Sequence, residues 1–377
     1  MTDPFLPYSR QHITDADIKA VVDALRSPII SQGSRLEAFE SAFAAATHTA
    51  FAVGFSSGTA ALHAMCAATG MGPGDEVILP AVTFAATANA VLYTGAKPIF
   101  VDIDPSTVCI DPKEAGSAMT EATRAVLAVD FAGHPADYPE LRRIAGNHGA
   151  LVLSDAAHAP GAAIDGRPTS SFADMMAFSF NPVKNVTAAE GGMVALGDAD
   201  RAEILRQFRT HGMTRAPERL QGPAHGDWYY EQQFLGFNYK LSELHAALGL
   251  SQLARLSAHT EARRRLAVVY HDALADLPLS RPEPQANVEP AWHLYVIRVD
   301  PSARRPLFDF LRRQNIGVQV HYIPVPMHPY YERLGYGMDQ LPRAKAYYES
   351  AISLPLHQSM TERDVDRVVV AIRSFYS

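Results

Sequence analysis

Between about residues 50 and 200 the chain alternates short β-rich runs with helical patterns, and this alternation leaves few architectures open. The β-rich runs fall at 51–54, 76–79, 97–101, 125–129, 150–154, 175–179 and 193–196. Helical periodicity fills most of the gaps, at 59–69, 83–94 and 138–147. A parallel strand pair needs a crossover long enough to hold a helix, so the alternation predicts an α/β layer with a mostly parallel sheet. In such sheets ligands gather beyond the carboxyl ends of the strands.

Three segments at those strand ends carry chemistry. An apolar run ends in Ser154-Asp155-Ala156-Ala157-His158. Another ends in Ser179-Phe180-Asn181-Pro182-Val183-Lys184, ahead of a Glu190-Gly191-Gly192 turn. A third leads into Ser56-Ser57-Gly58-Thr59-Ala60-Ala61-Leu62-His63, which reads as a helix start. A strand-end acid and lysine are what pyridoxal phosphate chemistry needs. The lysine holds the aldehyde covalently, and the acid keeps the ring nitrogen protonated so that the ring withdraws electrons. Small and hydroxyl residues at a helix start offer free N–H groups and a positive dipole end to a phosphate. Each motif alone has a plain reading as a strand-end cap, a surface lysine or an ordinary capped helix. The three in this order make coincidence a poor explanation.

At 377 residues, 47% hydrophobic and 19% charged, the chain is long enough for two domains and has a soluble globular composition. A net charge of −7 without a basic block disfavours nucleic acid as a partner. Cys66 and Cys109 show no metal or CxxC spacing and read as free thiols in a reducing compartment. Met1-Thr2-Asp3-Pro4 lacks the regions of a signal peptide, and no apolar run reaches the ~18 residues of a membrane span. The expectation is a cytoplasmic soluble enzyme without a metal.

Outside the alternating region, Thr14 and Asp17 read as a cap opening a helix to about Leu25. Residues 212–238 are loop-like and aromatic, and 242–274 read as one long helical stretch. A proline-bearing linker or edge at 278–290 precedes a smaller α+β unit, built from 292–299, a helix near 306–314, 316–323 and a terminal helix from Thr361. The division this predicts is 1–250 as a large cofactor-binding α/β domain with an N-terminal helical segment. Residues 251–377 then form an interdomain helix and a small C-terminal α+β domain.

The chain resembles the DegT-type sugar aminotransferases, which are fold-type I, pyridoxal-phosphate-dependent enzymes of the aspartate aminotransferase-like kind. The carriers are Ser57 to Leu62, Gly72-Pro73-Gly74-Asp75-Glu76-Val77, Thr83-Phe84 with Ala88-Asn89, Asp155 to His158, Phe178 to Lys184, Glu190-Gly191-Gly192, Asn238-Tyr239 and Leu354-Pro355-Leu356. A narrower likeness, to the transaminases of pseudaminic acid biosynthesis, rests on Trp228 to Gln233, Ala291 to Arg298 and Gly317 to Pro324. It implies transfer of an amino group from L-glutamate to C4 of a UDP-linked 4-keto-6-deoxy-N-acetyl-L-sugar. Other nucleotide-linked 4-ketosugars (a UDP-pentose, a GDP- or dTDP-sugar) are the alternative, and a cofactor-binding regulator is a third.

The resemblance also implies roles. Lys184 would bind pyridoxal 5'-phosphate and shuttle the proton, Asp155 would pair with the ring nitrogen, and His158 would stand near the phenolic oxygen. Phe84 would stack on the ring. Ser57, Gly58, Thr59 and Ser179 would hold the phosphate, joined by Asn238 from a neighbouring subunit in a homodimer with shared active sites. Tyr229, His321 and Tyr322 are the expected sugar contacts, and Arg209 with His211 the expected contacts for donor carboxylate or diphosphate. Asn181, where the family commonly has histidine, and Asn185-Val186-Thr187-Ala188-Ala189, where relatives often carry two threonines, depart from the pattern.

Overall fold

A computed structural model describes residues 4–377. Its centre is a seven-stranded sheet made of β1 (Phe51–Phe55), β2 (Glu76–Pro80), β3 (Lys97–Val101), β4 (Thr123–Val129), β5 (Leu151–Asp155), β6 (Met175–Ser179) and β7 (Gly192–Leu196). The order across the sheet is β1-β7-β6-β5-β4-β2-β3. Only β7 runs against its neighbours, pairing antiparallel with both β1 and β6. The remaining pairs are parallel, as the alternation predicted.

Side chains of successive strand residues leave opposite faces, so each central strand feeds two apolar layers. Val126 and Ala128 of β4 and Val152 of β5 join a cluster with Leu36, Phe39 and Phe43 of helix α1 (Ser34–Thr47). Their neighbours Ala125, Leu127 and Leu153 enter the other layer. There they meet Leu62 and Met65 of α2 (Gly58–Ala67) and Val91 of α3 (Ala85–Tyr93). Burial on both faces explains why these strands read as nearly continuous apolar runs.

A third cluster lies in the second half of the chain. Tyr295 and Ile297 of β8 (Tyr295–Arg298) and Ile352 and Leu354 of the antiparallel β9 (Ala351–Leu354) form its sheet. The helices Pro301–Arg313 and Glu362–Tyr376 pack on it, together with Leu6 and Leu266.

The helical stretch at 242–274 is two helices, α4 (Glu243–Leu253) and α5 (Leu256–Ala273), broken at Ala254 and Arg255. Apolar spacing continues through the break, so periodicity does not reveal it. What turns the chain is tertiary: the Arg255 guanidinium bonds the buried Asp17 carboxylate. Residues 316–323 form single bridges, Leu6 with Ile316 and Gln319 with Ser353, rather than a strand. The proline-bearing 278–290 includes the short strand Val288–Glu289, paired with Ala163–Ile164. Among the described residues no helix is long and apolar enough to cross a membrane, and no His/Cys/Asp/Glu group has a metal-binding arrangement. Both cysteines are free and buried.

Candidate active site

Because β1, β2, β5 and β6 point the same way, their carboxyl ends share one edge of the sheet. A cavity of about 320 Å³ opens there, lined by Ser57, Gly58, Thr59, Phe84, Asp155, His158, Ser179 and Lys184. Residues that lie up to 127 positions apart in sequence (from 57 to 184) are thus brought together, each at or beyond the carboxyl end of a strand.

Asp155 closes β5 and is buried. Its Oδ2 accepts the Thr87 hydroxyl at 2.6 Å and its Oδ1 the Ala157 N–H at 3.1 Å. Burial raises the affinity of this carboxyl for a proton, and those two donors with the Lys184 charge only partly restore it. Thr87 is in turn 2.6 Å from the Thr83 hydroxyl, one helical turn back across the start of α3.

The Lys184 amine is pushed down to about 8, chiefly by burial, with the Arg263 cation acting the same way and Asp155 opposing both. An amine so placed is far more often neutral, and therefore nucleophilic, than an ordinary lysine. Asn185 anchors the lysine loop by donating to the Ala291 carbonyl at 2.9 Å. His158 is buried, with Nδ1 accepting the Ala132 N–H at 3.2 Å and Nε2 3.1 Å from the Tyr322 hydroxyl. His321 lines the same cavity, its Nδ1 2.8 Å from Ser353 Oγ, and burial with the Lys184 charge lowers it to about 4.

An anion cup lies at the start of α2. The Ser57 hydroxyl caps the helix by accepting the Ala60 N–H at 3.1 Å. Among the described residues the Gly58 and Thr59 N–H groups meet no protein acceptor. Only glycine fits at 58, because a Cβ there would stand 2.7 Å from the Ser179 Cβ. The absent side chain lets Ser179 and its hydroxyl approach Gly58 closely. The set fits pyridoxal 5'-phosphate: a phosphate cup, a buried acid, a low-affinity amine and the Phe84 ring, 60% exposed where it lines the cavity.

Three expectations come out differently, and Asn238, expected to act in a neighbouring subunit, lies outside the cavity of its own chain. The Arg209 guanidinium is buried against Glu40 and the Gly54 carbonyl (2.8 Å to the latter), so it is an internal ion pair and not a substrate contact. His211 is exposed and lies outside the cavity. Tyr229 is also outside it, its hydroxyl donating to Glu231 at 3.0 Å within the 217–233 loop. Asn238 itself is exposed and bridged to Thr210. Conversely, Tyr8, Thr83 and His293 line the cavity, and Thr87 bonds the acid, although none was assigned a site role from the sequence. Thr83 stands just ahead of α3 and Thr87 in its first turn, a four-residue spacing that could have suggested their contact. Tyr8 and His293 arrive from distant segments.

A strand-end lysine and acid over a phosphate cup, on a sheet whose β7 alone is reversed, define a fold-type I pyridoxal-phosphate-dependent aminotransferase. The chain belongs to the DegT/DnrJ/EryC1/StrS aminotransferase family, whose model matches residues 11–373. It is 41% identical to the spore coat polysaccharide biosynthesis protein SpsC of Bacillus subtilis, over 98% of this chain and 96% of that protein. The PLP form of the putative sugar aminotransferase Spr1654 from Streptococcus pneumoniae superposes with a TM-score of 0.92 at 30% identity, covering 100% of this chain and 98% of that one. Helicobacter pylori PseC, an aminotransferase of pseudaminic acid biosynthesis, gives 0.92 at 28% identity and 99% coverage of both chains.

Proposed function

We propose that this chain aminates C4 of a UDP-linked 4-keto-6-deoxy-N-acetyl-L-sugar with L-glutamate as the donor, as in pseudaminic acid biosynthesis. The observation that carries the transaminase chemistry is the depressed, buried Lys184 amine sharing one cavity with the Thr87-oriented Asp155. The likeness to PseC supports the sugar. A second reading, another nucleotide-linked 4-ketosugar, is favoured by the higher identity to SpsC, a protein of spore coat polysaccharide synthesis.

When bound, pyridoxal phosphate supplies an electron sink that lets a C–H bond beside nitrogen break. The chain supplies the rest. Lys184 would hold the aldehyde and move the proton at its Nζ. Asp155, held by Thr87, would keep the ring nitrogen protonated. Phe84 would pack against the ring. The Gly58 and Thr59 N–H groups, with the Ser57, Thr59 and Ser179 hydroxyls, would bind the phosphate. His321 and Tyr322 form the wall that meets the sugar. Asn238 completes the phosphate cup of a neighbouring subunit in a homodimer, consistent with its exposure beside Leu235, Phe237 and Trp228, all large apolar side chains open to solvent.

Purified protein should carry a visible absorbance band that glutamate discharges, and one member of a panel of nucleotide-linked 4-ketosugars should then be aminated, read by product mass. Lys184→Ala should abolish turnover. Multiple turnovers by that variant would refute the chemistry, and amination of only a GDP- or dTDP-sugar would replace the substrate assignment.

A further inference from the structure

The polarity of hydrogen bonding around His158 is set by a backbone donor. The Ala132 N–H can only donate, and it meets Nδ1 of His158 at 3.2 Å. Nδ1 therefore carries no proton, and the neutral ring bears its proton on Nε2. The turn that presents this N–H is locked in place. Ala132 has a left-handed backbone (φ 57), its carbonyl accepts the His293 N–H at 2.9 Å, and the Gly133 carbonyl accepts the Ala291 N–H at 2.9 Å. His293 then lies over the imidazole, ring centroids 4.3 Å apart. Burial, with Lys184 and His321 nearby, keeps His158 uncharged well below the ordinary histidine range.

The Nε2–H of His158 faces the Tyr322 hydroxyl at 3.1 Å. A hydroxyl oxygen that receives this proton must aim its own elsewhere. Tyr322 is half-buried and lines the cavity with Lys184 and Asp155, and among the described residues its proton meets no protein acceptor. Its ring is steadied by Phe131 and Phe84, with centroids 6.4 and 5.9 Å away.

We infer that Tyr322 is a hydrogen-bond donor of fixed polarity to an oxygen of the sugar substrate, and that His158 is the positioning residue enforcing that polarity. This rests on the ketosugar reading above. It excludes the opposite arrangement, in which His158 takes the tyrosine proton as a base, because the one free nitrogen lone pair is already used by Ala132. A site built this way discriminates by chemistry: a sugar lacking the accepting oxygen leaves a donor unpaired and is rejected.

Two measurements test the inference. In histidine-¹⁵N-labelled holoenzyme, the His158 resonances, assigned by their loss in His158→Gln, should report the neutral Nε2-protonated tautomer throughout the neutral pH range. Tyr322→Phe, which keeps the ring and its packing, should lower kcat/KM for the ketosugar roughly 10- to 100-fold. The loss on the ketosugar should exceed any loss in the rate at which glutamate discharges the cofactor band, since that half of the reaction holds no sugar. An Nδ1-protonated or charged His158, or a Tyr322→Phe enzyme within about twofold of wild type on the sugar, would overturn the inference. Failure of the wild-type enzyme to aminate any ketosugar would instead refute the functional reading, and the tautomer would still be decided by the spectra.

Discussion

Lys184 shows how a single residue sets function against stability. Its amine falls from 10.5 to about 8 because folding buries it. A lysine whose folded value is depressed opposes folding fully below that folded value. The opposition fades as pH rises from about 8 toward 10.5, where the amine is neutral in both states. The burden at neutral pH is on the order of 3 kcal/mol. Lys184→Met should therefore raise the melting temperature of the cofactor-free protein at neutral pH, and the gain should vanish in alkaline buffer; an unchanged melting temperature at every pH would contradict this account. Lys184 and Asp155 were legible in sequence because few roles suit such residues just past apolar strands. Arg209 was misread for the complementary reason. Its partner Glu40 lies 169 positions away, and nothing local separates a buried ion pair from a ligand contact.

Elements were read well where the pattern was local. Lys97–Val101 and Met175–Ser179 have the bounds expected of them, since apolar runs bounded by turns leave little latitude. The break between α4 and α5 was not readable, because it depends on Asp17 in the helix Asp15–Leu25. That carboxylate accepts from Ser251 at 2.7 Å, from Gln252 at 2.9 Å and from Arg255, and it also caps its own helix through Thr14. Burial alone would raise its proton affinity. Bonds from Ser251, Thr14 and Arg255 outweigh burial and hold it below the usual carboxylate range. Its contribution is thus present above the unfolded value and lost as pH falls through the folded one. Asp17→Ala leaves the partly buried Arg255 unpaired and should cost about 2–3 kcal/mol in urea unfolding, a difference that should shrink in acid. A loss that did not depend on pH would assign the residue a packing role instead.

For the molecule as a whole, the informative surface is the one that packing within a single chain leaves uncovered. Ile13, Ile18, Leu25, Ile29 and Ile30 are exposed near the first helix, as are Trp228, Tyr230 and Leu235 beside the Asn238 segment. Scattered apolar residues are ordinary, but runs of them mark association surfaces. The proposed shared-site dimer makes a quantitative prediction. Lys184→Ala and Asn238→Leu chains, each strongly impaired alone, should regain up to roughly a quarter of wild-type turnover when dissociated and reassembled together, because mixed dimers hold one intact site. No recovery, with differently tagged chains recovered as mixed dimers, would refute the shared site.

Arg263 carries a consequence for how substrate enters. Wholly buried on α5, it donates to the carbonyls of Trp292, His293 and Leu356 and to the Gln358 side chain at 2.9–3.3 Å. Those four acceptors belong to the Trp292-His293 segment, whose His293 lines the cavity, and to the segment before the C-terminal helix, and one planar guanidinium fork ties them to a single strut. The back therefore has no independent play. A sugar substrate would then enter past the open side of the cavity, where the Phe84 ring is exposed, and whatever breathing admits it belongs to that threshold.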